Sequence, residues 1–421
     1  MAALIVSTLV IAGVANANPF WRPKLATTLE PNVYTATAAS DVYAAQATAP
    51  TTSFPKHYKR GKAFDRFLTI WLENTDFSKA AADPNLAWLA TKGITLENYH
   101  GVTHPSEPNY VAAVGGDTFG IDNDAFIQID GNVSTVVDLL EDRGISWGTY
   151  QEDMPYSGFE GFAWRNQETQ ANDYVRKHHP PIIYNANTSP LRLSYQKNLT
   201  QFHTDLANDQ LPQWMFITPN MTSDGHDSSV TVAGAWTRNF LEPLLADPTF
   251  TDRTLILITF DENHSYTLSN KIFSILLGDA VPSHLQGTTD PNFYNHYSEI
   301  ATVEANWNLH TLGRWDVGAN VFDVVAKHTG DVVRPYAAAT AQEPEIFFNS
   351  SYAGPFNTAF QQAPYPAPNL EIMSPGTHRS VLPAIKKAWR NSGLSSYYTD
   401  SVEVPDGQHP PKGYAYNDVN N

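Results

Sequence analysis

Two pairs of oxygen-bearing side chains each follow an apolar run. Leu68-Thr69-Ile70-Trp71-Leu72 leads into Glu73-Asn74, and Leu257-Ile258-Thr259-Phe260 leads into Asp261-Glu262. Carboxylate and amide oxygens are ligands for a hard divalent cation, and four of them leave space for a substrate oxygen. Either pair alone reads as well as a solvated acidic turn or helix cap; two pairs, each ending a buried strand, point to one shared site. Between them lies Thr103-His104-Pro105-Ser106-Glu107-Pro108-Asn109-Tyr110. A serine hydroxyl is a weak nucleophile until a metal or base lowers the cost of its alkoxide. Ser106 also reads simply as the cap of a helix opening at Glu107-Pro108, whose N-terminus would accept an anion. Asp224-Gly225-His226-Asp227 is either an imidazole held by a carboxylate or a turn with an exposed histidine. His104, His264 and His296 are the other imidazoles near these segments, and His296 reads equally as a cap or stacking residue before a helix.

The elements that must position these residues alternate. Strand-length runs are expected over Phe67–Leu72, Ile145–Tyr150, Trp214–Thr218, Thr254–Phe260 and Ile272–Leu277. Helices are expected over Ser78–Lys92, stopped by Gly93, over Val133–Arg143 with Gly144 in a left-handed cap, and over Ala233–Ala246. Strands alternating with helices imply an α/β fold, with a mostly parallel sheet covered on both faces. Chemistry in such sheets collects at the carboxyl ends of the strands. Both acidic pairs stand at such ends.

Composition narrows the function classes. The 421 residues carry 43 Asp plus Glu against 26 Lys plus Arg, a net charge of -17, and no cysteine. The acidic balance disfavours nucleic acid as a partner. Zero cysteine excludes disulfides, thiolate zinc sites, iron-sulfur clusters and cysteine nucleophiles. No stretch reaches the ~18 apolar residues of a membrane span. Leu4 to Val14 followed by Ala15-Asn16-Ala17 reads as a signal peptide over residues 1–17, so the protein is expected to be secreted. Sequons at Asn132, Asn187, Asn198, Asn220 and Asn349 are candidate N-glycan sites, whereas the one at Asn263 lies too near the proposed metal. Residues 18–62 are expected to form an N-terminal arm packed on the core, the alternative being a mobile tail. Residues 331–421 form a C-terminal extension, packed on the core or trailing from it.

Glu73-Asn74 after a strand, Ser106-Glu107-Pro108-Asn109-Tyr110, His226-Asp227 and Asp261-Glu262 together resemble the phosphoesterase family. That family comprises fungal secreted acid phosphatases and bacterial non-specific phospholipases C within the alkaline-phosphatase-like superfamily. The resemblance covers about residues 63–330 and is strongest to fungal phosphate-repressible acid phosphatases, through Trp71-Leu72-Glu73-Asn74, Thr103 to Tyr110 and Phe260-Asp261-Glu262-Asn263. It implies a three-layer α/β/α sandwich with a catalytic domain over 63–330. It also implies a divalent metal ion held by Glu73, Asn74, Ser106, Asp261 and Glu262. Ser106 would be the nucleophile, Asn109 would steady a phosphoryl oxygen, and His226 with Asp227 would line the phosphate pocket. His226, then His104 and His296, are the candidates to protonate the leaving group, because imidazolium is populated below about pH 6.5.

The His-rich second metal site of two-zinc relatives has no clear counterpart here, so one ion is expected. Ligand hardness favours Ca, Mg or Mn. The implied activity is hydrolysis of small-molecule phosphate monoesters through a phosphoserine. One alternative is a phosphodiesterase of the phospholipase C type on the same fold. A surface protein that binds metal or phosphate without turnover is another. Sulfatase chemistry is disfavoured, because Ser106-Glu107-Pro108-Asn109 lacks the arginine of the C/S-x-P-x-R pattern.

Overall fold

The computed structural model describes residues 38–54, 58–336, 348–359 and 364–411; the expected signal peptide lies outside them. Ten strands are present among these residues: β1 (Arg66–Leu72), β2 (Ile94–His100), β3 (Trp147–Gln151), β4 (Ala163–Arg165), β5 (Asn172–Val175), β6 (Gln196–Asn198), β7 (Trp214–Thr218), β8 (Thr254–Phe260), β9 (Lys271–Leu277) and β10 (Thr288–Asn295). Eight of them form one sheet in the order β10-β2-β9-β8-β1-β7-β3-β6, and β4 pairs with β5 in a separate hairpin. Only β9 runs against its neighbours in the large sheet. Central β1 and β8 are buried along their whole length, and burial on both faces is why they read as nearly continuous apolar runs. The fold is thus a layered α/β architecture around a mostly parallel sheet.

Two expectations about elements need correction. The helix expected over Ser78–Lys92 is two helices, Phe77–Ala82 and Pro84–Ala90. Pro84 has no N–H with which to continue the first, and the Asp83 carboxylate starts the second by accepting from Asn85 N at 2.9 Å and Leu86 N at 3.0 Å. Strands β2, β6 and β10 were not legible, because β2 and β10 are half-exposed and interleave polar residues and β6 has only three residues. The helix Val136–Arg143 starts on a Thr135 capping box and ends at Gly144 with φ 64°. A left-handed cap is the conformation that favours glycine there.

The flanking segments touch the core. Helix Ala39–Gln46 presents Val42 to an apolar cluster with Met154, Phe159, Trp164 and Tyr174. From the C-terminal side, the hydroxyls of Tyr352, Tyr397 and Tyr398 converge on buried Asp117, while within the extension Arg379 reaches both oxygens of Asp331 at 2.8 and 3.0 Å. No helix among the described residues is long and apolar enough to cross a membrane.

The core also holds carboxyl groups whose protonation matters. Glu299, on helix Tyr297–Trp307, accepts from Trp71 Nε1 at 3.1 Å and Tyr99 OH at 3.2 Å, yet burial pushes its pKa from 4.5 up to about 8. The folded chain therefore holds this proton more tightly than the unfolded chain. The stability so gained is complete below about pH 4.5 and is lost as the pH rises towards 8. Glu160, pushed by burial to about 7, acts in the same sense. Glu299→Gln should lose less stability than the wild type between pH 5 and pH 8, by about 1–3 kcal/mol, whereas buried His100, His104, His178, His179 and His296, whose pKa values burial lowers, act in the opposite sense over this range. Denaturation midpoints at the two pH values check this; an unchanged difference in the variant would refute it.

Candidate active site

Strand register brings the two acidic pairs together. Leu72 of β1 lies beside Phe260 of β8, so the next residues, Glu73 and Asp261, emerge side by side at the carboxyl edge. Asp261 N donates to Leu72 O at 3.0 Å, and Asn74 N donates to Asp261 Oδ1 at 3.1 Å. Asn74 adopts φ 40°, a left-handed turn that asparagine tolerates and that carries the chain away from the strand end.

Ser106 is supplied by the helix Ser106–Gly115, which follows β2 and is buried throughout. The structure corrects the capping expectation. Ser106 is the first helical residue, and its hydroxyl makes no cap. Instead Oγ lies 3.2 Å from Glu73 Oε2 and 3.5 Å from Glu262 Oε1. The helix head is steadied from elsewhere: Asp124 Oδ1 accepts Glu107 N at 3.0 Å, while Asp124 Oδ2 pairs with Lys177 Nζ at 2.8 Å.

Two residues that the sequence reading did not single out complete the site. Glu73 N donates to Asp224 O at 2.9 Å, which draws the loop after β7 against the end of β1. Thr218 Oγ1 donates to His178 O at 2.9 Å and anchors the turn Arg176–His178 beside it. The buried His178 ring then spans two carboxylates, with Nε2 3.4 Å from Glu73 Oε1 and Nδ1 3.5 Å from Asp224 Oδ2. Tyr110 stacks on that ring at 5.0 Å and donates its hydroxyl to Glu73 Oε1. The available signals were the basic run Arg176-Lys177-His178-His179 and an aspartate two residues before His226. Neither spacing reveals what it meets.

This arrangement fits a cation. Glu73, His178 and Asp224 offer ligand atoms within 4.8 Å of one another. Asn74 Oδ1 and Asp261 Oδ2 are buried without a hydrogen-bond partner, and the His178 nitrogens meet only carboxylates at 3.4 and 3.5 Å. Buried polar atoms are ordinarily satisfied, so unpartnered oxygens beside this group suit a cation. The electrostatics agree. Burial, then the charges of Asp261 and Asp224, push the Glu73 pKa well up; burial, then Asp261, does the same to Glu262. Lys177 opposes both shifts, one ammonium against four carboxylates. Asp224 and His178 thus stand as further potential ligands beside the expected Glu73, Asn74, Ser106, Asp261 and Glu262.

The remaining candidates separate by position. Asn109 spends its amide on its own loop: Oδ1 accepts from Val102 N at 2.9 Å and Thr103 N at 3.2 Å, and Nδ2 donates to Thr103 O at 2.8 Å and Pro105 O at 3.1 Å. Four bonds exhaust an amide, so the expected contact to a phosphoryl oxygen does not fit; Asn109 shapes the turn that presents Ser106. His296 is fully buried, stacks on Trp71 at 4.2 Å, and places Nε2 2.6 Å from Asp261 O. It supports Asp261 from behind, and its expected place among the proton donors does not fit either. His104 is buried with Nδ1 2.6 Å from Glu262 Oε2, and burial lowers its pKa to about 4. His226 is exposed, held by Asp227 Oδ1 at 2.8 Å, and its ring lies 6.0 Å from that of His178. His264 is exposed in the loop after β8. Asn187 is fully buried and bonded to Pro181 O at 3.2 Å, which corrects its place among the glycan candidates.

A layered α/β fold with a serine hydroxyl, four carboxylates and imidazoles at the carboxyl edge of its sheet defines the general class. Comparison with known proteins narrows it. The pattern of the phosphoesterase family matches residues 61–310, and the chain belongs to that family. An acid phosphatase of Aspergillus fumigatus is 55% identical over 298 residues, which are 70% of this chain and 66% of that protein. A phosphate-repressible acid phosphatase of Penicillium chrysogenum is 46% identical over 367 residues, 87% of this chain and 86% of that protein. A solved structure of a protein in the alkaline phosphatase superfamily from Vibrio parahaemolyticus aligns over 69% of this chain and 76% of that one, with 10% identity and a TM-score of 0.39.

Proposed function

We propose that the chain is an acid phosphatase, a phosphoric monoester hydrolase that acts on small-molecule phosphate monoesters through a phosphoserine at Ser106. The observation that carries this reading is Ser106 Oγ, 3.2 Å from Glu73 and 3.5 Å from Glu262 at the head of a buried helix. The names of the similar fungal proteins support it.

Glu73, Asn74, Asp261 and Glu262, joined by Asp224 and His178, would hold a divalent cation, which when bound offsets the phosphoryl charge and lowers the cost of deprotonating Ser106. Oxygen donors suit Mg, Ca or Mn, and the His178 nitrogen moves the preference from Ca towards Mn and other first-row ions. Ser106 Oγ passes its proton to Glu73 and bonds to phosphorus as the bond to the ester oxygen breaks. His226, the exposed imidazole held by Asp227, gives a proton to that departing oxygen. In the second half His226 takes a proton from water, whose oxygen bonds to phosphorus. Ser106 leaves with the proton that Glu73 kept, and phosphate is released.

Secretion belongs to the same proposal and rests on the apolar leader and the fungal relatives. Asn132, Asn198, Asn220 and Asn349 are its remaining glycan candidates. The test is hydrolysis at pH 5 of p-nitrophenyl phosphate against p-nitrophenyl phosphorylcholine, before and after chelation. The monoester should be cleaved about tenfold faster or more, with activity lost on chelation and restored by metal. Preference for the choline diester would establish the phospholipase-type reading instead. Turnover that survives exhaustive chelation would remove the metal, and no turnover of either ester would leave a binding protein.

A further inference from the structure

We propose that Tyr266 is a stacking platform for the leaving group, which makes monoesters of planar aromatic alcohols the preferred substrate class. This deepens the reading above and rests on it. Tyr266 stands on the loop between β8 and β9 and is 49% exposed, with Leu268 beside it at 48%. The loop is pinned at its base: Ser265 donates its N–H and its hydroxyl to Asp76, both at 2.8 Å, and Asn263 Nδ2 donates to Ser265 O at 2.8 Å. A ring held out on a pinned loop meets an incoming ligand with little ordering left to do.

The position of the ring ties it to the reaction. One face of Tyr266 lies on the His104 imidazole, with ring centres 3.9 Å apart and planes 31° apart. His104 Nδ1 is 2.6 Å from Glu262 Oε2, and Glu262 Oε1 is 3.5 Å from Ser106 Oγ. Three short contacts thus connect the nucleophile to an aromatic ring at the surface. His104 lies against one face, and with 49% of the residue exposed the ring retains surface on which a flat apolar group can stack. A glycerol or other aliphatic alcohol has no π face to offer.

The experiment compares kcat/KM for phenyl phosphate and glycerol 2-phosphate at pH 5 in the metal-loaded wild-type protein, Tyr266→Phe and Tyr266→Ala. The alanine variant should lose about 5- to 50-fold on phenyl phosphate and less than about twofold on glycerol 2-phosphate. The phenylalanine variant should keep the wild-type ratio, which separates the ring from its hydroxyl. An equal loss on both esters, or an unchanged ratio in Tyr266→Ala, overturns the platform while leaving the phosphatase intact. Wild-type protein that hydrolyses neither ester overturns both readings.

Discussion

Ser106→Ala is expected to lower kcat on p-nitrophenyl phosphate by about 10⁴-fold or more, because it removes the hydroxyl proposed to form the covalent intermediate and water must then attack directly. The fold should survive the change. The Ser106 hydroxyl makes no capping bond, and the helix head is held by Asp124 through Glu107 N at 3.0 Å. The informative measurement is therefore turnover in a variant whose thermal midpoint is unaltered. Phosphoserine trapped by acid quench should appear in the wild type and vanish in the variant. Undiminished turnover at pH 5 would show that the nucleophile lies elsewhere.

Glu73→Gln should be nearly as damaging, lowering kcat/KM about 10³-fold and weakening metal affinity by about 10²-fold or more, although glutamine preserves the shape. Glu73 stands where four interactions meet: Ser106 Oγ at 3.2 Å, the Tyr110 hydroxyl, His178 Nε2 at 3.4 Å, and the charges of Asp224 and Asp261. Removing its charge would leave the proposed cation short of a ligand and Ser106 without its proposed proton acceptor. Tyr110→Phe keeps the stacking on His178 and removes only the hydroxyl. It should cost about 3- to 30-fold in the wild type and almost nothing in the Glu73→Gln background, because Tyr110 acts through Glu73. A cycle of the two substitutions, read by kcat/KM and by metal titration, tests this. Equal losses in both backgrounds would detach Tyr110 from the carboxylate.

These effects depend on contacts of unequal legibility. The pairs Glu73-Asn74 and Asp261-Glu262 could be found because strands buried on both faces leave unbroken apolar runs, and a polar pair at the end of such a run marks the sheet edge. Ser106 could be found because a short segment with two prolines and an asparagine carries it. Asp224 and His178 could not. Their places depend on Glu73 N reaching Asp224 O and Thr218 reaching His178 O, bonds between segments far apart in the chain. Asn109 was expected at the substrate from the family resemblance, and His296 from its imidazole. Their hydrogen bonds to Val102, Thr103 and Pro105, and to Asp261 O, show them holding backbone.

The amino-acid sequence by itself determined the α/β class, two of the strands that end at the site and the oxygen-rich character of its surroundings, since these follow from local periodicity and side-chain chemistry; the Ser106 segment was picked out by its resemblance to the phosphoesterase family. Only the tertiary structure decided which imidazole joins the carboxylates, which aspartate of the Asp224–Asp227 turn faces inward, and which aromatic ring covers His104 at the surface. Those choices come from strand register and from hydrogen bonds between distant segments, where a displacement of one residue would turn a ligand outward.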